Sequence, residues 1–258
     1  MLKIWQFTLF FLLCLTIALL FNLPLKQVLP YVQLPPAVQL AGIDGSILKG
    51  RAQELRVNDF PIRGLSYRYM PSCIPMLKVC YHVEYDEGEV TLAYDLLNGD
   101  TEVSRSQVEY PVTQLLKLMP NAALVKPSGR LQLQIEDLSM LGDKLQAVTG
   151  KLIWRDFGLD DAGIKLDIGD YQVDFVGDPE KFDLTFSDLD ADLKVSGDGN
   201  ISAAGMYTVD VRIESQRGGI DPQVRSVLNL IATRSSGDKY RIQQQGRLPP
   251  DVMRQVFR

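Results

Sequence analysis

The fold class follows most directly from residues 181–195, which read KFDLTFSDLDADLKV. Phe182, Leu184 and Phe186 occupy every second position, and a second alternating series begins at Leu189. A period of two indicates a β-strand that buries one face and exposes the other. The same alternation occurs at residues 65–69, 79–85, 90–94, 131–135, 152–154, 166–168, 171–175, 207–213 and 240–242.

The spacing of these segments indicates how the strands connect. They recur at intervals of roughly 8–15 residues with glycine and aspartate between them, as in meandering antiparallel sheets. We therefore expect a mainly β fold with one large antiparallel domain, either curved or two-layered. Two segments interrupt the alternation and predict short helices. Residues 112–119 are leucine-rich and end at Pro120, and residues 222–234 begin with a proline and space apolar residues three and four apart.

The N-terminus carries a long uncharged stretch. Between Lys3 and Lys26 lie 22 residues without charge, and most of them are apolar. As a helix they would extend about 33 Å, enough to cross a hydrocarbon core of about 30 Å. We interpret residues 1–3 as a cytoplasmic stub and residues 4–25 as a single transmembrane anchor. The alternative is a cleaved signal peptide, although residues 21–25 offer no pair of small side chains for cleavage.

The flanking charges predict the orientation of this anchor. Lys3 and the α-amine flank the N-terminal side of the stretch, whereas on the other side Lys26 is followed by no basic residue until Lys49. Positive charges close to a transmembrane helix favour the cytoplasmic side, and the rule gives most weight to short flanks such as the N-terminal one. We expect the N-terminus in the cytoplasm and the rest of the chain in the periplasm. Residues 26–37 are rich in proline and predict an extended neck that holds the domain away from the bilayer. Residues 38–258 then form the periplasmic β-rich domain.

The three cysteines are consistent with an oxidising compartment. Cys14 falls within the predicted anchor, which leaves Cys73 and Cys80 as an isolated pair in the domain. They form either a disulfide that closes a short loop or two free thiols. Zinc is disfavoured because the spacing exceeds that of a zinc knuckle and the chain has one histidine, His82.

Net charge limits the partners. Residues 27–258 carry 25 Lys and Arg against 32 Asp and Glu, a formal charge of −7. A domain of this charge is repelled by nucleic acid and by anionic membrane surfaces, so protein partners are expected and nucleic acid is not. The chain has no nucleophile elbow and no phosphate loop, and His82 alternates onto a polar strand face. We expect no enzyme activity, no cofactor and no metal.

An acidic cluster is the one candidate for a charged binding site. Asp188, Asp190 and Asp192 alternate with apolar residues, which places them together on the exposed face of one predicted strand. Leu193 and Gly199 stand where a helix–loop–helix calcium site needs glycine and glutamate. The cluster is therefore either an interaction face for a cation or basic partner, or a solvated face that discourages aggregation.

Four short stretches carry a family resemblance. They are VQLAGIDGSILKGRA at 38–52, YRYMP at 67–71, GKLIW at 150–154 and GRLP at 246–249. Together with the predicted anchor and neck, they resemble protein N of the type II secretion system, the general secretion pathway of Gram-negative bacteria. The resemblance implies an accessory inner-membrane protein whose periplasmic domain contacts other secretion subunits and supports export of folded proteins across the outer membrane. It brings no catalytic residues.

A second resemblance leaves another function open. Glycine-framed amphipathic strands are also similar to the periplasmic domains of AsmA-type proteins, whose curved sheets cradle acyl chains. That resemblance implies a lipid-handling protein with an open apolar groove. A packed core would instead favour the secretion subunit.

Overall fold

A computed structural model describes residues 5, 7–12, 15, 23–28, 38–57, 60–113, 127–142, 144–161, 164–216 and 219–248. Most of these residues lie in antiparallel strands, which confirms the mainly β prediction. The chain divides into two compact units, Met1–Leu97 and Asn98–Arg258. The division falls inside residues 38–258, and whether these residues fold as a single domain stays a prediction.

The N-terminal unit contains one antiparallel sheet in the order β1-β3-β4-β5-β6, with β2 paired to β3. Its elements are α1 (Leu25–Val28), β1 (Val38–Ala41), β2 (Asp44–Gly45), β3 (Lys49–Val57), β4 (Phe60–Met70), a 3-10 helix (Pro71–Met76), β5 (Lys78–Tyr85) and β6 (Gly88–Asp95). Strands β5 and β6 pair antiparallel, and Tyr85 lies opposite Gly88. Asp86 and Glu87 therefore form the turn between them.

The C-terminal unit contains one antiparallel sheet in the order β7-β8-β9-β10-β11-β12-β13-β15-β14. Its elements are β7 (Asp100–Pro111), β8 (Pro127–Leu141), β9 (Lys144–Asp161), β10 (Ile164–Gly177), β11 (Lys181–Ala191), β12 (Leu193–Ser202), β13 (Met206–Ser215), α2 (Pro222–Ile231), β14 (Arg234–Ser236) and β15 (Lys239–Arg247). Within the described residues, neither unit packs a second sheet on the first, so the two-layer alternative is wrong. Register shifts in β8, β9 and β10 bend those strands instead.

Register gives the C-terminal sheet two chemically different faces. One row across β8 to β13 and β15 runs Leu133, Leu152, Val173, Phe186, Gly197, Val211 and Ile242. A row on the other face runs Thr185, Asp198, Asp210 and Gln243. Because directly opposed residues point the same way, these rows define an apolar face and a polar face.

Aromatic rings fill the gaps that glycines leave in the apolar face. Gly150 lies directly opposite Phe175, and a Cβ on this glycine would come within 2.6 Å of the Phe175 ring. Gly177 and Phe182 form a second pair of this kind. Because each ring lies over a neighbouring backbone, the face stays packed although glycine offers no side chain.

Helix α2 covers one end of the apolar face. Pro222 is its first residue, as predicted, and Val224 and Leu228 are buried. The core that they complete consists of Ile168, Leu193, Val211, Ile213, Ile220, Val224, Leu228 and Tyr240. The helix ends at Ile231, which is 47% exposed, and Arg234 already belongs to β14. The predicted helix end at 234 is therefore wrong, since the apolar stripe stops at Leu228.

Several predictions fall largely outside the described residues. Only Val112 and Thr113 of the helix predicted at 112–119 are described, and both are helical. Residues 29–37 of the neck and half of residues 4–25 also lie outside the described part. Within that part, no helix combines the length and the apolar character needed to cross a membrane.

Candidate interaction surfaces

A disulfide closes the connection between β4 and β5. Cys73 in the 3-10 helix is bonded to Cys80 in β5, with the sulfur atoms 2.05 Å apart. Cys80 is 2% exposed and lies opposite Met70 at the end of β4. The predicted disulfide is confirmed, and it fixes the 3-10 helix to the end of the sheet.

Exposed apolar residues lie next to the disulfide. We call residues 71–77 and 96–97 the apolar tip. Its large side chains are Ile74, Met76, Leu77, Leu96 and Leu97, all about half exposed or more. The Leu96 N–H donates to the Leu77 carbonyl over 3.1 Å, which joins the two parts of the tip. Sequence reasoning missed this surface, although residues 71–77 have no charged residue and break the alternation.

Tyrosines connect the same end of the N-terminal sheet to the loop before β3. The Tyr67 hydroxyl donates to the Ser46 carbonyl over 2.5 Å, and the Tyr81 hydroxyl donates to the Ile47 carbonyl over 3.2 Å. Burial raises the pKa of both phenols, and neighbouring tyrosines add to the effect. These phenols stay protonated and serve as donors that hold the loop.

His82 lies in β5 beside acidic and hydroxyl groups. Its Nε2 is 3.2 Å from Glu84 Oε1 and 3.7 Å from Glu89 Oε2, and its Nδ1 is 3.2 Å from Thr91 Oγ1. These contacts leave the ring among side chains of its own hairpin. Among the described residues, no three His, Cys, Asp or Glu side chains converge as metal ligands do.

The acidic cluster does not share one exposed face, so that geometric prediction is wrong. A register shift in the β10–β11 pair places Asp190 opposite Asp170 but Asp188 opposite Tyr171. Since consecutive partners point to opposite faces, Asp188 and Asp190 diverge. Asp188 instead accepts hydrogen bonds from the Val195 N–H and the Gln216 amide, both at 2.9 Å. An interaction role for these aspartates stays a prediction.

Burial and the charge of Asp188 both raise the pKa of the neighbouring Tyr171 phenol. Tyr171 lies opposite Asp188, and its hydroxyl is 3.4 Å from the carbonyl oxygens of Ile168 and Leu193. Burial raises the Tyr171 pKa strongly, and the charges of Asp188 and Asp192 raise it further. The phenol therefore remains a neutral donor at the edge of the core.

The polar face of the C-terminal sheet forms a groove of about 840 Å³ across β11, β12, β13 and β15. Polar residues dominate its lining: Asp183, Thr185, Asp198, Asn200, Thr208, Asp210, Gln243, Gln244 and Gln245. An acyl chain requires an apolar lining, so this groove does not match the lipid groove implied by the AsmA-type resemblance.

Asp210 is the most strongly held carboxylate of the groove. Arg241 contacts it through two nitrogens, at 2.8 and 2.5 Å, and the Gln243 amide lies 3.0 Å away. The hydrogen bonds from Arg241, with that from Gln243, lower the Asp210 pKa to about 2. The carboxylate therefore keeps its charge far into the acid range.

The lowered pKa gives a prediction for acid stability. Because the folded-state pKa is depressed, this contribution to stability is present above pH 3.8 and is lost as the pH falls toward 2. We expect Asp210→Asn to destabilise the unit at neutral pH, and the difference from the unchanged protein to shrink between pH 4 and 2. Urea unfolding at several pH values measures this. Glu136→Gln, which removes a single exposed ion pair with Lys151, is the control and should have a smaller effect. A constant difference at all pH values would contradict the prediction.

The chain is therefore a disulfide-bonded β protein. Its apolar tip and its polar groove are surfaces on which another molecule could bind. The disulfide is typical of proteins outside the cytosol. A sequence model described as type II secretion system protein N matches residues 36–243, so the chain belongs to that family. This makes it a type II secretion component of the cell envelope and confirms the resemblance. Neither the curated proteins nor the solved structures contain a match.

Proposed function

We propose that this chain is an accessory inner-membrane component of the type II secretion system. Residues 4–25 tether it, both β units lie in the periplasm, and their surfaces contact other secretion subunits without carrying out a catalytic reaction. In this role it supports the export of folded proteins across the outer membrane. The observation that carries the proposal is the family match over residues 36–243.

The described part of the anchor supports the tether. Residues 7–12 are helical, and large apolar side chains there are strongly exposed, including Phe7 at 73% and Phe11 at 66%. Trp5 and Leu15 are exposed as well. A helix that is apolar on all sides is suited to lipid or to a protein core. The Cys73–Cys80 bond supports an oxidising compartment for the rest of the chain.

An incompletely paired strand edge supports protein contact. On one side of β15, β14 covers only Lys239–Arg241, and Thr233 then exchanges hydrogen bonds with Gln243. Beyond this point no described strand pairs with residues 244–247 on that side. Such an edge can accept an added strand from another chain through its backbone groups.

The test is photo-cross-linking in cells that make the whole secretion machine. We expect a cross-linking amino acid at Gln244 to recover another secretion subunit. The same group at Glu136, an exposed position on β8, is the matched control and should recover less. Recovery of no secretion subunit from either position, with normal amounts of the protein, would contradict the proposed function.

Lipid handling is a second candidate function. The family match does not support it, but one observation of the sheet favours it. The apolar face is only half buried at Leu133, Leu152, Val173, Phe175 and Leu184. A lipid carrier would keep such a face accessible to acyl chains. Native mass spectrometry of the detergent-extracted protein tests this. Phospholipid bound at a defined stoichiometry would favour lipid handling, whereas its absence would remove this candidate.

A further inference from the structure

The N-terminal unit contacts the end of the proposed anchor, residues 4–25. Pro24 forms a bridge with Ser46, and the Gln27 N–H donates to the Pro24 carbonyl over 2.9 Å. Ser46 belongs to the loop before β3, which Tyr67 and Tyr81 tie to β4 and β5. The last residues of the proposed anchor therefore lie against one end of the N-terminal sheet.

The apolar tip lies at this same end of the sheet. Lys49, the first residue of β3, is opposite Arg68 near the end of β4. The Tyr69 N–H donates to the Leu48 carbonyl over 2.7 Å, and the next residue, Met70, lies opposite Cys80. The 3-10 helix follows directly at Pro71. Both the chain at Pro24 and the apolar tip are thus anchored to the ends of β3, β4 and β5.

Charge at this end also has a pattern. The apolar tip contains no charged residue, and four basic residues lie in the elements at this end: Lys78 follows the tip, Lys49 and Arg68 are opposite one another in β3 and β4, and Lys26 follows Pro24. Three acidic residues lie near them: Asp95 is opposite Lys78, and Asp44 and Glu84 line the same cleft as Lys49 and Arg68. Exposed apolar side chains with lysine and arginine nearby are typical of surfaces that enter the membrane interface over anionic headgroups.

We propose that the apolar tip is a second, shallow membrane contact beside the anchor. Its side chains enter the headgroup and acyl boundary of the leaflet from which residue 25 emerges, and the basic residues lie near the headgroups. The occupant is an anionic phospholipid bilayer. This inference rests on the proposed tether, because the position of Pro24 locates the membrane. The formal charge of the whole domain predicts repulsion from such a bilayer, but at this end the four basic residues named here outnumber the three acidic ones.

The test uses the full chain in nanodiscs of phosphatidylethanolamine and phosphatidylglycerol. A fluorescent label is placed at one cysteine in a Cys14→Ala background, and mass spectrometry verifies the Cys73–Cys80 bond in every variant. The positions are Leu97→Cys in the apolar tip, Leu15→Cys in the anchor and Leu189→Cys as the matched control. Leu189 is a leucine that is 49% exposed in the C-terminal unit. Each label is quenched in turn by brominated lipid and by aqueous iodide.

We expect brominated lipid to quench the labels at 15 and 97 more than iodide does, and the reverse at 189. Quenching of 15 by lipid but of 97 by iodide would overturn the second contact and leave the tether standing. Quenching of 15 by iodide would overturn the tether and this inference with it. Lipid quenching at 97 and 189 alike would also overturn the inference, because the contact would not be confined to the apolar tip. Replacing phosphatidylglycerol with phosphatidylcholine should weaken lipid quenching of the label at 97 and leave that of the label at 15 unchanged. Equal quenching of the label at 97 in both lipid compositions would overturn the part of the proposal assigned to the basic residues.

Discussion

Gly169→Ala is expected to destabilise the C-terminal unit by about 3 kcal/mol, because backbone strain and overpacking act together. Gly169 has φ +116°, which an alanine adopts only with strain. An added Cβ would lie 2.4 Å from the Ala191 Cα and 2.5 Å from the Asp190 carbonyl oxygen. Backbone atoms cannot move aside as a flexible side chain does, and Ile168 next to it belongs to the core.

The control for this variant is Gly219→Ala. Gly219 has a similar φ of +129°, but no atom of the described residues, apart from its chain neighbours, lies within 4 Å of the place that an added Cβ would occupy. It should therefore show only the strain, about 1 kcal/mol. Urea unfolding of the full chain, followed by Trp154 fluorescence in a Trp5→Phe background, measures both. Equal losses in the two variants would show that the close approach of β10 to β11 at Gly169 has no energetic cost.

Removing the disulfide is expected to cost about 2–3 kcal/mol in the N-terminal unit, since the bond closes a short loop of the unfolded chain. The variant is Cys73→Ser/Cys80→Ala, which leaves no free thiol in the pair and buries no hydroxyl at Cys80, a position only 2% exposed. The Tyr69 and Leu77 amides donate to the Leu48 and Ile74 carbonyls beside the bond. Faster hydrogen exchange at these two amides is the expected readout.

Cys14→Ser is the control for the disulfide, because this cysteine takes no part in the Cys73–Cys80 bond. It should leave exchange at Tyr69 and Leu77 unchanged. If the double variant also leaves it unchanged, the backbone bond between Leu96 and Leu77 holds the apolar tip without the disulfide.

Strand content could be predicted from the sequence because alternation depends on local order. Leu65, Tyr67 and Tyr69 share a face of β4 whatever lies around them, since successive side chains of a strand point to opposite sides. The Cys73–Cys80 pair could also be proposed from the sequence, because a separation of seven residues is enough to close a short loop. Pro222 identified the start of α2 for a similarly local reason.

The candidate surfaces depended on pairing between distant residues. A bulge changes which residue lies opposite Tyr171, and this single shift separates Asp188 from Asp190, which alternation alone placed together. Likewise, Asp210 gains its partner Arg241 from a strand 31 residues away. No local pattern encodes such a contact.

The sequence by itself therefore determined most strands, the candidate cysteine pair, the uncharged N-terminal stretch and the family, because each depends on neighbouring residues or on the order of short motifs along the chain. Only the tertiary structure decided which surfaces are available. It placed the apolar tip at the same end of the sheet as Pro24, brought Lys49 opposite Arg68 there, and separated Asp188 from Asp190 by register. The physical reason is that exposure and charge clustering arise from strand pairing across long sequence separations, where one bulge reverses the face of every following side chain.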